Sequence, residues 1–76
     1  MLFYDAMQIL INGGLVRRPH WPADEYIKYD RWQGIPVASQ IKRGAKFFYN
    51  FALNDVIADD WCVYKITEEN TGIVFG

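Results

Sequence analysis

The sequence predicts a small single domain of the α+β class, an N-terminal helix packed on a twisted antiparallel β-sheet and assembled as an oligomer. Three observations predict it. One apolar stripe of helical period is confined to the first dozen residues. The chain then breaks into short segments rich in β-branched and aromatic residues, separated by glycine-bearing turn signals. No linker, internal repeat or low-complexity run divides it, so its 76 residues form one domain, 1–76.

Phe3, Ala6, Met7, Leu10 and Ile11 fall at i, i+3, i+4, i+7 and i+8, one face of a helix over about residues 3–12. Asn12-Gly13-Gly14 ends it with residues that accept a left-handed cap. Leu15–Arg18 reads as a strand ended by Pro19-His20-Trp21-Pro22, whose prolines lack ladder donors and place Trp21 at a rigid loop. Tyr26–Tyr29 is a second strand, Trp32-Gln33-Gly34 a turn, and Ile35–Ile41 a third strand. Lys42-Arg43-Gly44 is a second turn and Lys46–Phe51 an aromatic fourth strand, which together make an antiparallel meander. Asn54 can cap a helical turn through Ile57 and Ala58. Trp61–Ile66 then resumes a strand with apolar residues on both faces, which predicts a central strand or one covered by a partner. The tail, 67–76, turns from polar to apolar at Ile73-Val74-Phe75 and is either an edge strand or a flexible tail.

Composition points to an assembly. A chain this short buries only about 60% of its unfolded surface when it folds alone, yet 51% of its residues are hydrophobic and 17% aromatic. Some of Trp32, Phe47, Phe48, Tyr49, Phe51 and Phe75 are therefore expected to meet another subunit or a ligand. The lone Cys62 forms no internal disulfide, no leader peptide is recognisable and no apolar run is long enough for a membrane span. A reducing cytoplasm is the expected location.

The net charge of −1 conceals an asymmetry. Arg17, Arg18, Lys28, Arg31, Lys42, Arg43 and Lys46 lie between Gly14 and Asn50 against three acids, whereas five acids face only Lys65 from Phe51 onward. Affinity for a long nucleic acid grows with the number of phosphates neutralised, and the acidic half opposes it. A small anionic ligand needs only a few local charges.

Two segments supply such a site, Val16-Arg17-Arg18-Pro19-His20-Trp21 and Asn54-Asp55-Val56-Ile57-Ala58-Asp59-Asp60-Trp61. An indole offers a stacking face, a guanidinium a fork for phosphate, and a carboxylate an acceptor for sugar hydroxyls or amines. Each residue also has a purely structural reading: Trp61 as core, Arg18 paired with Asp59 or Asp60, and Asp55 as a cap. Asp60 repels phosphate, so at a ligand it would face a ribose hydroxyl or a base amine.

Catalysis is not expected. Cys62 lies among bulky strand residues, and nothing orients His20 as its base. One histidine and one cysteine are too few for a standard zinc site, and Gly13-Gly14 ends a helix instead of opening one on a phosphate. The reading is therefore of a non-enzyme with no cofactor and no metal.

Phe3-x-x-Ala6-Met7-x-x-Leu10-x-x-Gly13, Val16-x-Arg18-x-x-Trp21, the aromatic strand Tyr26–Tyr29 and Asn54–Trp61 together resemble the phage-encoded second Thoeris anti-defence family. The resemblance covers about residues 3–29 and 51–66. His20 stands where that family often has glycine, and Phe51 where it often has tryptophan. The resemblance implies a homotetrameric sponge that sequesters a cyclic nucleotide immune signal, cyclic ADP-ribose-type or cyclic oligonucleotide, without cleaving it, in the host bacterial cytoplasm. The ligand-binding residues it implies are Phe3, Arg18, Trp21, Lys28, Asn54, Asp55, Asp60 and Trp61. The competing expectation is a protein–protein interaction module that docks through its aromatic face.

Overall fold

A computed structural model describes residues 1–66, and the 67–76 tail lies outside the described residues. Helix α1 spans Phe3–Ile11, one residue short of the expected end, because its last turn closes early. The Asn12 side chain donates to the Gln8 carbonyl at 2.8 Å. Gly13 takes φ +92°, and the Gly14 N–H returns to Ile9 O at 2.8 Å. A Cβ on Gly14 would sit 2.5 Å from the Ile9 Cγ2. Both glycines are therefore required, the first by its dihedral and the second by close approach.

Five strands follow: β1 Leu15–Arg17, β2 Tyr26–Trp32, β3 Ile35–Lys42, β4 Ala45–Phe48 and β5 Cys62–Tyr64, with a short helix α2, Leu53–Val56, before the last. The sheet order is β4-β3-β2-β1-β5 and every pairing is antiparallel. Two-residue turns join β2 to β3 and β3 to β4. Gln33 and Gly34 take φ of 51° and 79°, and Arg43 and Gly44 take 50° and 79°. Two successive positive φ values match the right-handed twist of the flanking strands.

The expected meander is present, with corrections at its ends. β2 runs on through Trp32, β1 stops at Arg17, and β4 stops at Phe48 instead of Phe51. The Tyr49 N–H still bonds Ala38 O at 2.9 Å, after which the chain leaves the sheet. Tyr49 and Phe51 thereby turn inward, where their rings meet at 5.1 Å. They pack, half-buried, against the core. Among the described residues β5 is an outer strand next to β1 and so is not central there; the other expectation, that a partner covers it, is untouched by this order.

Register divides the sheet into two faces. Val16 opposes Ile27 on one side and Val63 on the other, and α1 packs there against β1, β2 and β5. Ala6, Leu10, Val16, Ile27 and Trp61 form the core. The row Tyr64, Leu15, Lys28, Ser39, Phe48 crosses the opposite face. Phe48 is 59% exposed there and Trp32 49%. No helix among the described residues is long and apolar enough to cross a membrane.

Candidate ligand-binding site

Six of the eight residues implicated by the sequence converge on the helical side of the sheet, but largely as interior. Trp61 is 1% exposed and donates its indole N–H to Asp55 O at 2.8 Å. Phe3 and Trp21 meet it edge-on, with ring centroids 6.0 and 5.9 Å away. Phe51 flanks both Trp61 and Phe3. Edge-to-face packing of this kind adds to burial, and it leaves Trp61 no free face on which a base could stack. The stacking role expected of Trp61 does not fit this burial, and Phe3 is half-buried against the same core.

Arg18 follows β1 on the side of Val16 and points into this cluster. Its Nη1 donates to Asp55 Oδ1 at 2.8 Å and its Nε to Asp60 Oδ1 at 2.7 Å, while its guanidinium carbon lies 5.6 Å from the Trp61 ring centroid. Burial acts to lower the guanidinium pKa, but the two carboxylates outweigh it and raise it, so the charge is held. The hydrogen bond from Arg18 in turn holds the Asp60 carboxyl below its ordinary range. A guanidinium facing two carboxylates carries no surplus positive charge toward phosphate. The expected phosphate fork is therefore an internal fastening.

Asp55 is the hub of this fastening. Its Oδ2 accepts from the Tyr49 hydroxyl at 2.7 Å and from the Ala52 N–H at 3.0 Å. The latter bond caps α2, so the cap residue is Ala52 and not Asn54, which sits exposed within the helix. Burial first, and then donation to Asp55, raise the Tyr49 pKa well above its usual value. Sequence reasoning missed Tyr49 in this role; its signal was an aromatic six residues before an aspartate on the far side of a turn.

Trp21 is half-buried and bridges the cluster to the surface, packing against Tyr49 at 5.5 Å and His20 at 6.4 Å. Its loop is held by more than its prolines. Arg17 donates to the carbonyls of Glu25 at 3.2 Å and Pro22 at 2.9 Å, and also to that of Trp21. Three carbonyls on one guanidinium fix the loop end to end. Lys28 is on β2 and belongs to the other face of the sheet, apart from the cluster.

That other face carries an open cleft of about 300 Å³, lined by Asp30, Arg31, Trp32, Val37, Ser39, Lys46, Phe47 and Phe48. Trp32 and Phe48 form its aromatic wall at 5.7 Å, edge to face. On its polar side, Lys46 Nζ and Ser39 Oγ both donate to Asp30 Oδ2, at 2.8 and 3.2 Å. The Arg31 N–H donates to Asp30 Oδ1 at 2.8 Å. Donation from Lys46 holds the Asp30 carboxyl down at about 2. Ser39 is 2% exposed, so a hydroxyl is buried at this edge of the cleft. Trp32, Phe47 and Phe48 were legible as surface aromatics from composition; their polar neighbours were not, because the pairing register decides which charges meet.

Among the described residues, no group of three or more His, Cys, Asp or Glu is placed to hold a metal ion. Cys62 donates to Asp60 O at 3.3 Å. No family model matches the chain, and no curated protein matches it.

Proposed function

We propose that the chain is a non-catalytic capture protein, a phage anti-defence sponge that sequesters a cyclic nucleotide signal of the cyclic ADP-ribose or cyclic oligonucleotide type in the bacterial cytoplasm. The observation that carries this reading is the open cleft on the sheet face opposite α1, with an indole and a phenyl ring beside hydrogen-bonding groups. The resemblance of the two tryptophan motifs adds the ligand class. The motif residues serve as the frame, and the ligand surface is the face that the frame leaves bare.

Pockets for small ligands span about 300–1,000 Å³, so a cleft of about 300 Å³ takes one base and not a whole cyclic dinucleotide. A second copy facing the first supplies the missing wall, and this is why the reading includes a homo-oligomer, with four copies as the expected number. Light scattering of the purified chain at a multiple of 8.9 kDa supports assembly, and a stable monomer at micromolar concentration counts against it. The capture itself is tested by calorimetry with a panel of cyclic ADP-ribose isomers and cyclic di- and trinucleotides. The bound material is then released by heating and weighed by mass spectrometry. Intact ligand is expected; a cleaved product in excess of sites makes the protein an enzyme, and no binding across the panel ends the reading.

One observation favours a second reading, a docking module for another protein. Trp32, Phe47 and Phe48, which line one cleft, are 49%, 52% and 59% exposed, and an exposed aromatic surface of this kind is common at protein interfaces. A docking module retains a protein from cell extract, whereas a sponge retains a nucleotide.

A further inference from the structure

The cleft at Trp32 and Phe48 holds its charges in an unusual balance for a nucleotide site. Lys46 lies at 2.8 Å from Asp30, so the ammonium is neutralised where a phosphate would need it. Hydrogen-bonding capacity is left over, however. A carboxylate has about four acceptor positions, and Asp30 uses two at Oδ2, for Lys46 and Ser39, and one at Oδ1, for the Arg31 N–H. One position at Oδ1 remains. An ammonium has three donors, and Lys46 spends one of them on Asp30. An acceptor and a donor thus stand side by side, next to an indole that is 49% exposed.

We propose that this cleft is a base-reading subsite: it takes a neutral heteroaromatic ring of the nucleobase class, stacked on Trp32, whose polar edge gives a hydrogen bond to Asp30 and receives one from Lys46. The inference rests on the capture reading and deepens it, because it assigns recognition to the base and leaves the phosphates outside the cleft. Adenine illustrates the match. Its exocyclic amine is a donor and its neighbouring ring nitrogen an acceptor, in the same order as the carboxylate and the ammonium. Binding should then depend weakly on salt, because the groups engaged form a neutral pair instead of a phosphate clamp.

The experiment titrates the full-length protein with adenosine, cyclic AMP and N6,N6-dimethyladenosine by calorimetry or NMR, at about 50 and 500 mM salt. Adenosine and cyclic AMP are expected to bind with dissociation constants within about threefold of each other, changing less than about twofold with salt. N6,N6-dimethyladenosine, which lacks the donor, is expected to bind about tenfold more weakly, and Trp32→Ala about tenfold or more weakly for every ligand. Circular dichroism checks that the variant folds, and the dimethyl analogue tests the same contact on the unaltered protein. Three outcomes overturn the proposal: a steep salt dependence, equal binding of the dimethyl analogue, or Trp32→Ala binding as well as the parent. If adenosine does not bind while a cyclic dinucleotide does, and Trp32→Ala leaves that binding intact, the subsite falls and the capture reading stands elsewhere on the chain. If nothing binds, both fall.

Discussion

The guanidinium of Arg18 and the carboxylate of Asp55, 37 residues apart in sequence, meet at 2.8 Å in the interior. Asp55 is 6% exposed and Arg18 8%. Each makes the other tolerable there, because a buried charge without a partner costs several kcal/mol.

Removing one partner leaves the other stranded. Arg18→Met should destabilise the fold by about 3–5 kcal/mol, read as a lower urea midpoint. A midpoint equal to that of the parent would show that the pair is not structural, and would reopen Arg18 as a ligand contact.

The Trp61 indole should be equally demanding. Trp61→Ala is expected to cost about 3–5 kcal/mol. Trp61→Phe should cost about 1–3 kcal/mol, because it leaves the Asp55 carbonyl unpaired. Trp32→Ala, at an exposed site, should leave the urea midpoint nearly unchanged.

How much of this was legible divides along a physical line. The helix and both hairpins follow from local chemistry: an apolar stripe, Gly13, and glycines at the second turn positions. Arg17 and Arg18 are neighbours of identical type, and the pleat sends one toward loop carbonyls and the other into the core. Sequence offered Arg18 as a phosphate fork or as the partner of Asp59 or Asp60; the pair with Asp60 forms, and Asp55, read from sequence only as a cap, is the second carboxylate. Trp61 was legible as core or platform, and only its burial decides between them. The cleft around Asp30 and Lys46 was not legible, because β3 intervenes between the two residues.

Acid should weaken the fold through Asp30 and Asp60. Both carboxyls are held below their unfolded values by Lys46 and Arg18 respectively. Their stabilisation is therefore complete above the ordinary carboxylate range, near pH 4, and is lost as the pH falls toward the folded values, about 2 for Asp30. In urea unfolding followed from about pH 5 to pH 2, Asp30→Asn should flatten the slope. An unchanged slope would remove Asp30 from the account.

Alkali should act on Tyr49 with the opposite sign. Its pKa is raised in the folded state, so its contribution is intact below the ordinary phenol value of about 10 and is lost as the pH rises above it. Spectrophotometric titration should show one of the five tyrosines ionising late or only on unfolding. In Tyr49→Phe that late step should vanish, with a loss of about 1–3 kcal/mol from the Asp55 oxygen left short of a donor.

The turns offer a change in the other direction. Gln33 and Arg43 sit at positive φ, where asparagine is more comfortable than either. Gln33→Asn and Arg43→Asn should each stabilise by about 0.4–1 kcal/mol, additively, because the two turns are separate. A loss of stability in thermal melts would show that the native side chains make contacts worth more than the strain.

The arrangement of strands also sets an order of events in time. β2, β3 and β4 are joined by two-residue turns, so their pairing closes small loops and can form within microseconds. The β1–β5 pairing must bring together residues from opposite ends of the described chain, at a larger entropic cost of closure. The meander is then expected to form first, and the Arg18–Asp55–Trp61 fastening to close last and open first. Kinetically, the turn substitutions should accelerate refolding, whereas Arg18→Met and Trp61→Phe should chiefly accelerate unfolding. On this order the lifetime of the native chain is expected to be set at the cluster, and its speed of formation at the hairpins.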